Sequence, residues 1–309
     1  MLINGKYMVF SKIGHGAFGH VYKGINIDTQ EYVAIKIEAH DVKVSRLDHE
    51  HQIYNYIFEK SNNCSKLAIP KLYWYGIFNE HKLLIMERLG YSLEKVLSLL
   101  HNFSIKTIIM IAIETLNILE KIHSYDIIHR DIKPDNFVIG YKNNRNKIYL
   151  VDFGLSKKFS EYKTGKNLVG TMKYASINNH LGYEQSKRDD LESLSYMLIY
   201  LYHGTLPWKG IVAQDKNEKS QKICYIKQTV PITELCKDMP IEFQFFVKYS
   251  RKLKYDRTPD YKMLQNLFIA LLERNNYSFD RKYDWIISCD VLKTKKSKKK
   301  KSSSRIIEI

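Results

Sequence analysis

The 309-residue chain contains little cysteine, proline or glycine. Its four cysteines, Cys64, Cys224, Cys236 and Cys289, stand far apart and include no C-x-x-C pair. The spacing of the cysteines suits neither a zinc site nor a disulfide framework, so we expect buried, reduced thiols. With only 6 prolines and 14 glycines, the chain is neither collagen-like nor low in complexity.

Long apolar runs are also missing. The most apolar stretches, around residues 108–113 and 194–202, are far shorter than the roughly 20 residues that cross a bilayer. Residues 1–6 lack the apolar run of a signal peptide. We therefore expect an intracellular protein without a transmembrane segment, located in the cytoplasm, the nucleus or both.

Acidic residues are scarce relative to basic ones. The chain has 33 Asp and Glu against 49 Lys and Arg, so its formal net charge is +16. Eight of the basic residues lie within Lys293–Arg305. We expect residues 290–309 to be a disordered basic tail, because so polar a segment cannot bury enough apolar surface to offset its ordering entropy. Such a tail fits binding to an import receptor, a tether to anionic lipid or nucleic acid, or simple solubilisation. The remaining excess of positive charge fits acidic or phosphorylated substrates.

The residue pattern changes from strand-like to helical along the chain. Short segments rich in β-branched or aromatic residues predict strands over Tyr7–Ile13, His20–Asn26, Tyr32–Glu38 and Lys82–Glu87. Apolar residues at helical spacing predict helices over Arg46–Lys60, Ile105–His123, Leu191–Tyr202, Glu242–Tyr249 and Met263–Arg274. Polar composition predicts surface loops over 61–66, 142–147 and 214–222. The pattern predicts an α+β protein, in which a β-rich lobe with one main helix precedes a mostly helical lobe across a cleft.

A glycine motif and a lysine stand close together near the N-terminus. The G-x-G-x-x-G motif of Gly14–Gly19 alone fits a dinucleotide fold, a kinase loop or a plain turn. A strand-like segment, His20–Ile25, follows it rather than a helix, which favours a strand–turn–strand flap whose amides approach phosphates. Lys36 follows inside an apolar strand. A buried ammonium group needs a carboxylate partner, for which Glu50 is the candidate. The alternative is a lysine on an exposed strand face.

Four polar residues in two later motifs can carry out chemistry. Asp131 can accept the proton of an attacking hydroxyl or orient it, and Lys133 can neutralise charge on a transferred phosphoryl group. Asn136, and Asp152 at the end of an apolar strand, can hold a hard cation through oxygen atoms. We expect His129 to be a hydrogen-bonded structural residue rather than a base.

These motifs occur in the order of a eukaryotic-type protein kinase. Further along, Gly170–Asn178 ends in Ser-Ile-Asn where most kinases have Ala-Pro-Glu, and the segments Arg188–Ser193 and Leu206–Trp208 follow. In these features the chain resembles casein kinase 1, over roughly residues 5 to 285.

The resemblance implies a bilobal protein kinase fold over residues 1–289, with an N-lobe of about 1–87, a hinge of about 87–92 and a C-lobe of about 93–289. It implies ATP and Mg²⁺ as cofactors, Asp131 and Lys133 as catalytic residues, and Asn136 and Asp152 as metal ligands. The residues implied to bind ATP are Ile13, Gly14, Gly16, Gly19, Val21, Ala34, Lys36, Glu50, Met86, Glu87 and Leu89. It further implies that Asp190 holds the catalytic loop.

The resemblance also implies a substrate class. Casein kinase 1 enzymes phosphorylate Ser or Thr that follows an acidic or phosphorylated residue, and Lys173, Gly210 and Lys222 match positions that recognise the negative charge. The alternative is that both lysines are solvated surface charge. We therefore expect an active, monomeric Ser/Thr kinase. The rival hypothesis is a catalytically weak, kinase-like scaffold that binds a partner through its basic tail, against which the intact set of catalytic residues argues.

Overall fold

A six-stranded antiparallel sheet builds the N-terminal lobe. The computed structural model describes residues 2–16, 19–39, 45–61 and 67–288. The strands are β1 (Leu2–Ile3), β2 (Tyr7–Gly16), β3 (Gly19–Asn26), β4 (Tyr32–Ala39), β5 (Leu72–Phe78) and β6 (His81–Glu87). They lie in the order β1-β2-β3-β4-β6-β5, so that β4 is central and β5 forms an edge.

Side-chain alternation along β4 gives the sheet two different faces. Val33 and Ile35 point to one side, where they pack in a small apolar cluster with Ile85 of β6, the residue opposite Ile35. Complete burial of one such isoleucine contributes about 1.5–3 kcal/mol to stability. Ala34 and Lys36 point to the other side, toward helix α1 and the C-terminal lobe. The strand period thus places Lys36 in the cleft.

Helix α1 (Arg46–Lys60) has the bounds that its periodicity predicts. Ser45 caps its first turn by accepting a hydrogen bond from the backbone N–H of Asp48. Ile53 and Ile57 bury one side of the helix, and Glu50 lies on the same buried side. The helix therefore carries a carboxylate into the space beneath β4.

The C-terminal lobe is mostly helical. Its helices are α2 (Leu93–Leu100), α3 (Ile105–His123), α4 (Ile177–His180), α5 (Lys187–His203), α6 (Lys216–Thr229), α7 (Ile232–Leu235), α8 (Ile241–Lys252) and α9 (Tyr261–Arg274). The short strands β7 (Ile127–Ile128) and β8 (Phe137–Ile139) pair with β10 (Lys157–Lys158) and β9 (Ile148–Leu150), respectively. The prediction of an α+β, bilobal architecture is confirmed. In the part of the chain that the structure describes, no helix has the length and apolar character to cross a membrane.

One predicted loop is wrong, and strand β5 is among the elements that were not predicted. Most of residues 214–222 belong to helix α6, which Asp215 caps by accepting from two backbone N–H groups and in which Glu218 pairs with Lys222 one turn later. The helix is stable despite its polar composition because Ile223 and Cys224 bury part of its surface. Strand β5, which the pattern did not predict, pairs with β6 along the edge of the sheet.

The other polar and cysteine predictions have mixed outcomes. Residues 142–144 form a short 3₁₀ turn without buried side chains, which agrees with a surface loop. Cys224 and Cys236 are buried and free, as expected. Cys64, Cys289, most of the predicted loop at 61–66 and the predicted tail at 290–309 lie outside the described residues.

Candidate active site

The glycine motif lies in the β2–β3 hairpin. Gly16 is paired with Gly19 across this hairpin, and Gly14 is opposite Val21. Gly19 has φ +144°, and a Cβ added there would lie 2.3 Å from the carbonyl oxygen of Ile37, so no other residue fits. The strand–turn–strand arrangement predicted for the motif is confirmed by this pairing, although residues 17 and 18 are not among those described.

Lys36 joins the two lobes through two ion pairs. Its Nζ lies 2.5 Å from Oε2 of Glu50 on α1 and 2.8 Å from Oδ1 of Asp152 in the C-terminal lobe. The Lys36 side chain is only 13% exposed, which contradicts the alternative of a lysine on an open strand face and confirms the pairing with Glu50. An ammonium group held between two carboxylates is fixed in position and can contact an anionic ligand in the cleft.

The three charges alter one another's titration. Burial alone would lower the pKa of Lys36, but the charges of Glu50 and Asp152 raise it above its ordinary value. Burial raises the pKa of Glu50 to about 7, with the charge of Lys36 opposing the rise. Burial acts to raise the pKa of Asp152 as well, yet Lys36 brings it below its ordinary value. Lys36 and Asp152 are therefore charged at neutral pH.

The loop between β7 and β8 presents a buried carboxylate. Lys133 donates from Nζ to Oδ2 of Asp131 at 2.6 Å, and Asn136 donates from Nδ2 to the backbone oxygen of Asp131 at 2.8 Å. Asp131 is 5% exposed. The structure thus brings together Asp131, Lys133 and Asn136, as the spacing of their motif requires, and holds the carboxylate in one orientation.

Thr171 is a site residue that the sequence reasoning missed. Its backbone N–H and its hydroxyl both donate to Oδ1 of Asp131, each at 2.7 Å. Lys133 also donates to this hydroxyl, at 3.2 Å. The only sign of this role in the sequence is a hydroxyl residue directly after a glycine, Gly170. In the structure Gly170 has φ +92°. Contact between residues 40 positions apart is a tertiary fact that no local pattern contains.

Asp190 on α5 supports the loop from behind. Its carboxylate accepts from the backbone N–H groups of His129, at 2.7 Å, and Arg130, at 2.9 Å, and it lies 2.8 Å from Nε2 of His123. Burial would raise the pKa of Asp190, but the hydrogen bond from His123 keeps it below its ordinary value. Burial also lowers the pKa of His129, which therefore stays neutral. The predicted structural roles of Asp190 and His129 agree with these contacts.

The hinge follows β6 and has a free backbone donor. The side chains of Met86 and Leu89 are buried, and Glu87 donates its backbone N–H to the carbonyl of Lys71. Among the described residues, none accepts a hydrogen bond from the N–H of Leu89. A ligand with a ring nitrogen acceptor, such as adenine, would satisfy this donor. Ala34 is buried and Val21 half-buried on the cleft side of the sheet.

A family model for the protein kinase domain matches residues 7–276. The chain belongs to the protein kinase family. Membership implies that the kinase uses ATP and acts on protein substrates. A kinase needs a phosphate cover, a phosphate-binding cation and a group that receives the substrate hydroxyl, and the β2–β3 hairpin, Lys36 and Asp131 are the candidates for these roles.

The kinase has oxygen donors suited to a divalent cation. Asn136 uses its amide nitrogen to hold Asp131, so its carbonyl oxygen is not consumed by that bond. Asp152 contacts Lys36 through Oδ1 and is 25% exposed. In the described part of the chain, no group of three or more His, Cys, Asp or Glu could hold a metal. A cation between Asn136 and Asp152 would therefore complete its shell with phosphate and water oxygens, as Mg²⁺ commonly does.

The two lysines predicted to recognise substrate charge, Lys173 and Lys222, have different contacts near Gly210. Trp208 donates from Nε1 to the carbonyl oxygen of Lys173 at 2.7 Å, which ties Lys173 to the turn that contains Gly210. Gly210 has φ +79°. The Nζ of Lys222 lies 2.8 Å from Oε1 of Glu218 and donates a hydrogen bond to the carbonyl of Val212. The structure thus ties Lys173 to Trp208 and Lys222 to Val212, which stand two residues before and after Gly210, and Lys222 also pairs within its own helix.

Proposed function

We propose that the kinase is a serine/threonine kinase of casein kinase 1 type, which uses Mg²⁺ and ATP and prefers hydroxyls near acidic or phosphorylated residues. The observation that carries the catalytic part is the fixed Asp131 carboxylate, held by Lys133 on one oxygen and by Thr171 on the other. The family type is supported by the resemblance of Gly170–Asn178 and Arg188–Ser193. ATP-dependent phosphorylation of casein or of an acidic peptide by the purified chain tests this proposal, and absence of incorporation on serine and threonine would contradict it.

The residues divide the work of transfer. Asp131 accepts a hydrogen bond from the substrate hydroxyl and takes up its proton. Lys133 donates a hydrogen bond to Asp131 and neutralises charge on the phosphoryl group during transfer. Lys36 holds the phosphates of ATP. Mg²⁺, held by Asn136 and Asp152, would supply neutralisation of the phosphate charge. Catalysis rests on positioning and charge stabilisation, because phosphoryl transfer requires little covalent chemistry from the protein.

Lys173 supports the proposed preference for negative charge. Its ammonium lies 3.3 Å above the ring of Tyr200, and burial lowers its pKa. Among the described residues, none forms an ion pair with Lys173. A cation that is positioned by an aromatic ring but has no carboxylate partner can bind an incoming phosphate or carboxylate. Lys222, paired with Glu218, would have to exchange that partner for a substrate anion.

Replacing Lys173 with methionine should weaken selection of negatively charged peptides. Methionine keeps an apolar stem over Tyr200 but removes the charge, so we expect kcat/KM for a peptide with an upstream phosphoserine to fall about tenfold. The value for the same peptide with serine in place of phosphoserine should change little. Steady-state assays on the two peptides measure the ratio. Lys262→Met, an exposed lysine on α9, serves as the control, and an equal loss on both peptides would contradict a role in charge recognition.

We further propose that Lys293–Arg305 directs part of the kinase population to the nucleus or to an anionic surface. The remaining kinase molecules act in the cytoplasm. The support is the concentration of eight cations in this short segment. Removal of residues 293–309 should leave peptide phosphorylation by the purified kinase unchanged and abolish nuclear accumulation of a fluorescent fusion. Loss of catalysis on truncation, or full activity of an Asp131 variant in the cell, would instead favour the scaffold hypothesis.

A further inference from the structure

Lys227, in the last turn of α6, is a completely buried lysine that the catalytic machinery described above does not use. Its Nζ donates to the carbonyl oxygen of Ala175 at 2.6 Å and to that of Met172 at 3.0 Å. Both carbonyls belong to the segment that follows Thr171. A single side chain from a helix more than fifty positions away therefore holds the two ends of this short segment.

The amine of Lys227 is enclosed by buried groups and contacts His180 as well as the two carbonyls. Burial lowers the pKa of Lys227 to about 7, with Glu192 opposing and Arg251 adding to the decrease. His180, whose Nε2 lies 3.1 Å from Nζ, has its pKa lowered to about 3 by burial and by Lys227, so it is neutral. Whether charged or neutral, the amine keeps at least the two N–H donors that the carbonyls of Met172 and Ala175 need.

The same segment is fixed at a second point behind Lys227. Arg251 donates from Nη2 to the backbone carbonyl of Lys227 at 2.9 Å and to the hydroxyl of Tyr196 at 3.0 Å. Glu192 accepts from that hydroxyl at 2.6 Å and from the backbone N–H of Ile177 at 3.0 Å. Helices α5 and α6 thus hold residues 172–177 directly through Glu192 and Lys227, and α8 supports both of these helices through Arg251.

The segment held by Lys227 begins at the residue that contacts the catalytic carboxylate. Thr171 donates to Asp131, and the backbone N–H groups of Tyr174 and Ala175 donate to the carbonyl of Thr171. We propose that Lys227 is a positioning residue that holds residues 171–175 against Asp131 and so shapes the surface on which the peptide substrate lies. This inference rests on the proposed phosphorylation of peptides and adds a residue outside the cleft.

Stability alone does not account for a lysine at this position. Burying an amine is costly, and an apolar side chain of similar length would fill the space beside Tyr196 and Trp208 at lower cost. What an apolar side chain cannot do is donate to two carbonyls at once. The contacts therefore point to control over the path of the backbone rather than to core packing.

A graded set of variants tests the proposal. Lys227→Met removes every donor, and Lys227→Gln keeps two amide N–H donors on a side chain that is one bond shorter, while Lys216→Met replaces an exposed lysine on the first turn of α6. Hydrogen–deuterium exchange should be faster for residues 171–176 in the methionine variant, intermediate in the glutamine variant and unchanged in the control. With an acidic serine peptide, KM for the peptide should rise about tenfold in Lys227→Met, whereas KM for ATP should stay within about twofold.

Two results would overturn the proposal. One is exchange at residues 171–176 that equals that of the unaltered kinase in a folded Lys227→Met or Lys227→Gln protein. The other is faster exchange spread evenly over α5, α6 and α8 together with an unchanged peptide KM, which would indicate a role in stability only. Should the unaltered kinase phosphorylate no peptide, the proposed function fails, while the exchange measurement still decides whether Lys227 positions the segment.

Discussion

Replacing Asp131 with asparagine should reduce phosphoryl transfer by roughly 10²- to 10⁴-fold, the range expected for loss of a positioned acid–base group. Asparagine has nearly the same shape and can still accept from Thr171, so the loop should keep its conformation. It cannot take up a proton from the substrate hydroxyl, and its amide does not attract Lys133 as a carboxylate does. The loss should appear in kcat, measured with saturating ATP and peptide, because the interaction forms as the hydroxyl attacks.

The matched control for this change is Asp126→Asn. Asp126 is exposed and pairs with Lys187, and its φ of +57° is a conformation that asparagine tolerates well. Its kcat should remain within about twofold of the unaltered kinase, since exposed ion pairs contribute little. A thermal melt of both variants establishes that they are folded. Turnover by Asp131→Asn close to that of the control would refute the assignment of Asp131.

Replacing Lys36 with methionine should lower kcat/KM for ATP by roughly 10²- to 10³-fold, as removal of one preorganised charge commonly does. Methionine leaves Glu50 and Asp152 without the cation that separates them. Glu50, whose pKa is already about 7, should then be protonated near neutral pH, because the charge of Lys36 was what opposed the effect of burial. Steady-state kinetics at varied ATP and calorimetric titration with a non-hydrolysable ATP analogue would show whether binding, turnover or both are lost.

Lys82→Met provides the corresponding control on the neighbouring strand. Lys82 forms a 2.6 Å ion pair with Asp48, comparable in length to the pair between Lys36 and Glu50, but Asp48 is 38% exposed. We expect less than about 1 kcal/mol of lost stability and unchanged ATP kinetics. If Lys36→Met kept kcat/KM for ATP within about threefold of Lys82→Met, the proposed role of Lys36 at the phosphates would be wrong.

Two of the predicted helices match the structure to the residue, whereas the other three fall short of α5, α8 and α9 by one to four residues at one or both ends. Helix α1 and helix α3 begin and end where periodicity placed them, because each has a serine cap, Ser45 and Ser104, directly before the first helical residue. In α3 residues 107–113 are all buried, and the buried residues after them recur at helical spacing to the end of the helix. Where the core-facing stripe and the cap agree, the local sequence is sufficient.

Strand β5 and helix α6 were not predictable in this way. Residues of β5 are mostly half-buried along its length, since an edge strand is only partly covered, and Gly76 interrupts its apolar run. Helix α6 has few apolar residues, and one position on its buried face is Lys227. A lysine reads as a solvent-facing residue unless the carbonyls that accept its hydrogen bonds are known, and those lie on a different segment.

The sequence by itself determined the kinase family and the two-lobed architecture, and it predicted the pairing of Lys36 with Glu50 while leaving an exposed Lys36 as the alternative. Those conclusions depend on residue types at fixed spacings and on the rule that a buried charge needs a partner. Only the tertiary structure decided that Lys36 also contacts Asp152, that Thr171 holds Asp131, and that Lys222 pairs with Glu218 on its own helix. The first of these contacts joins residues 116 positions apart. Such contacts depend on how whole elements pack, because spacing along the chain does not set the distance between side chains from separate elements.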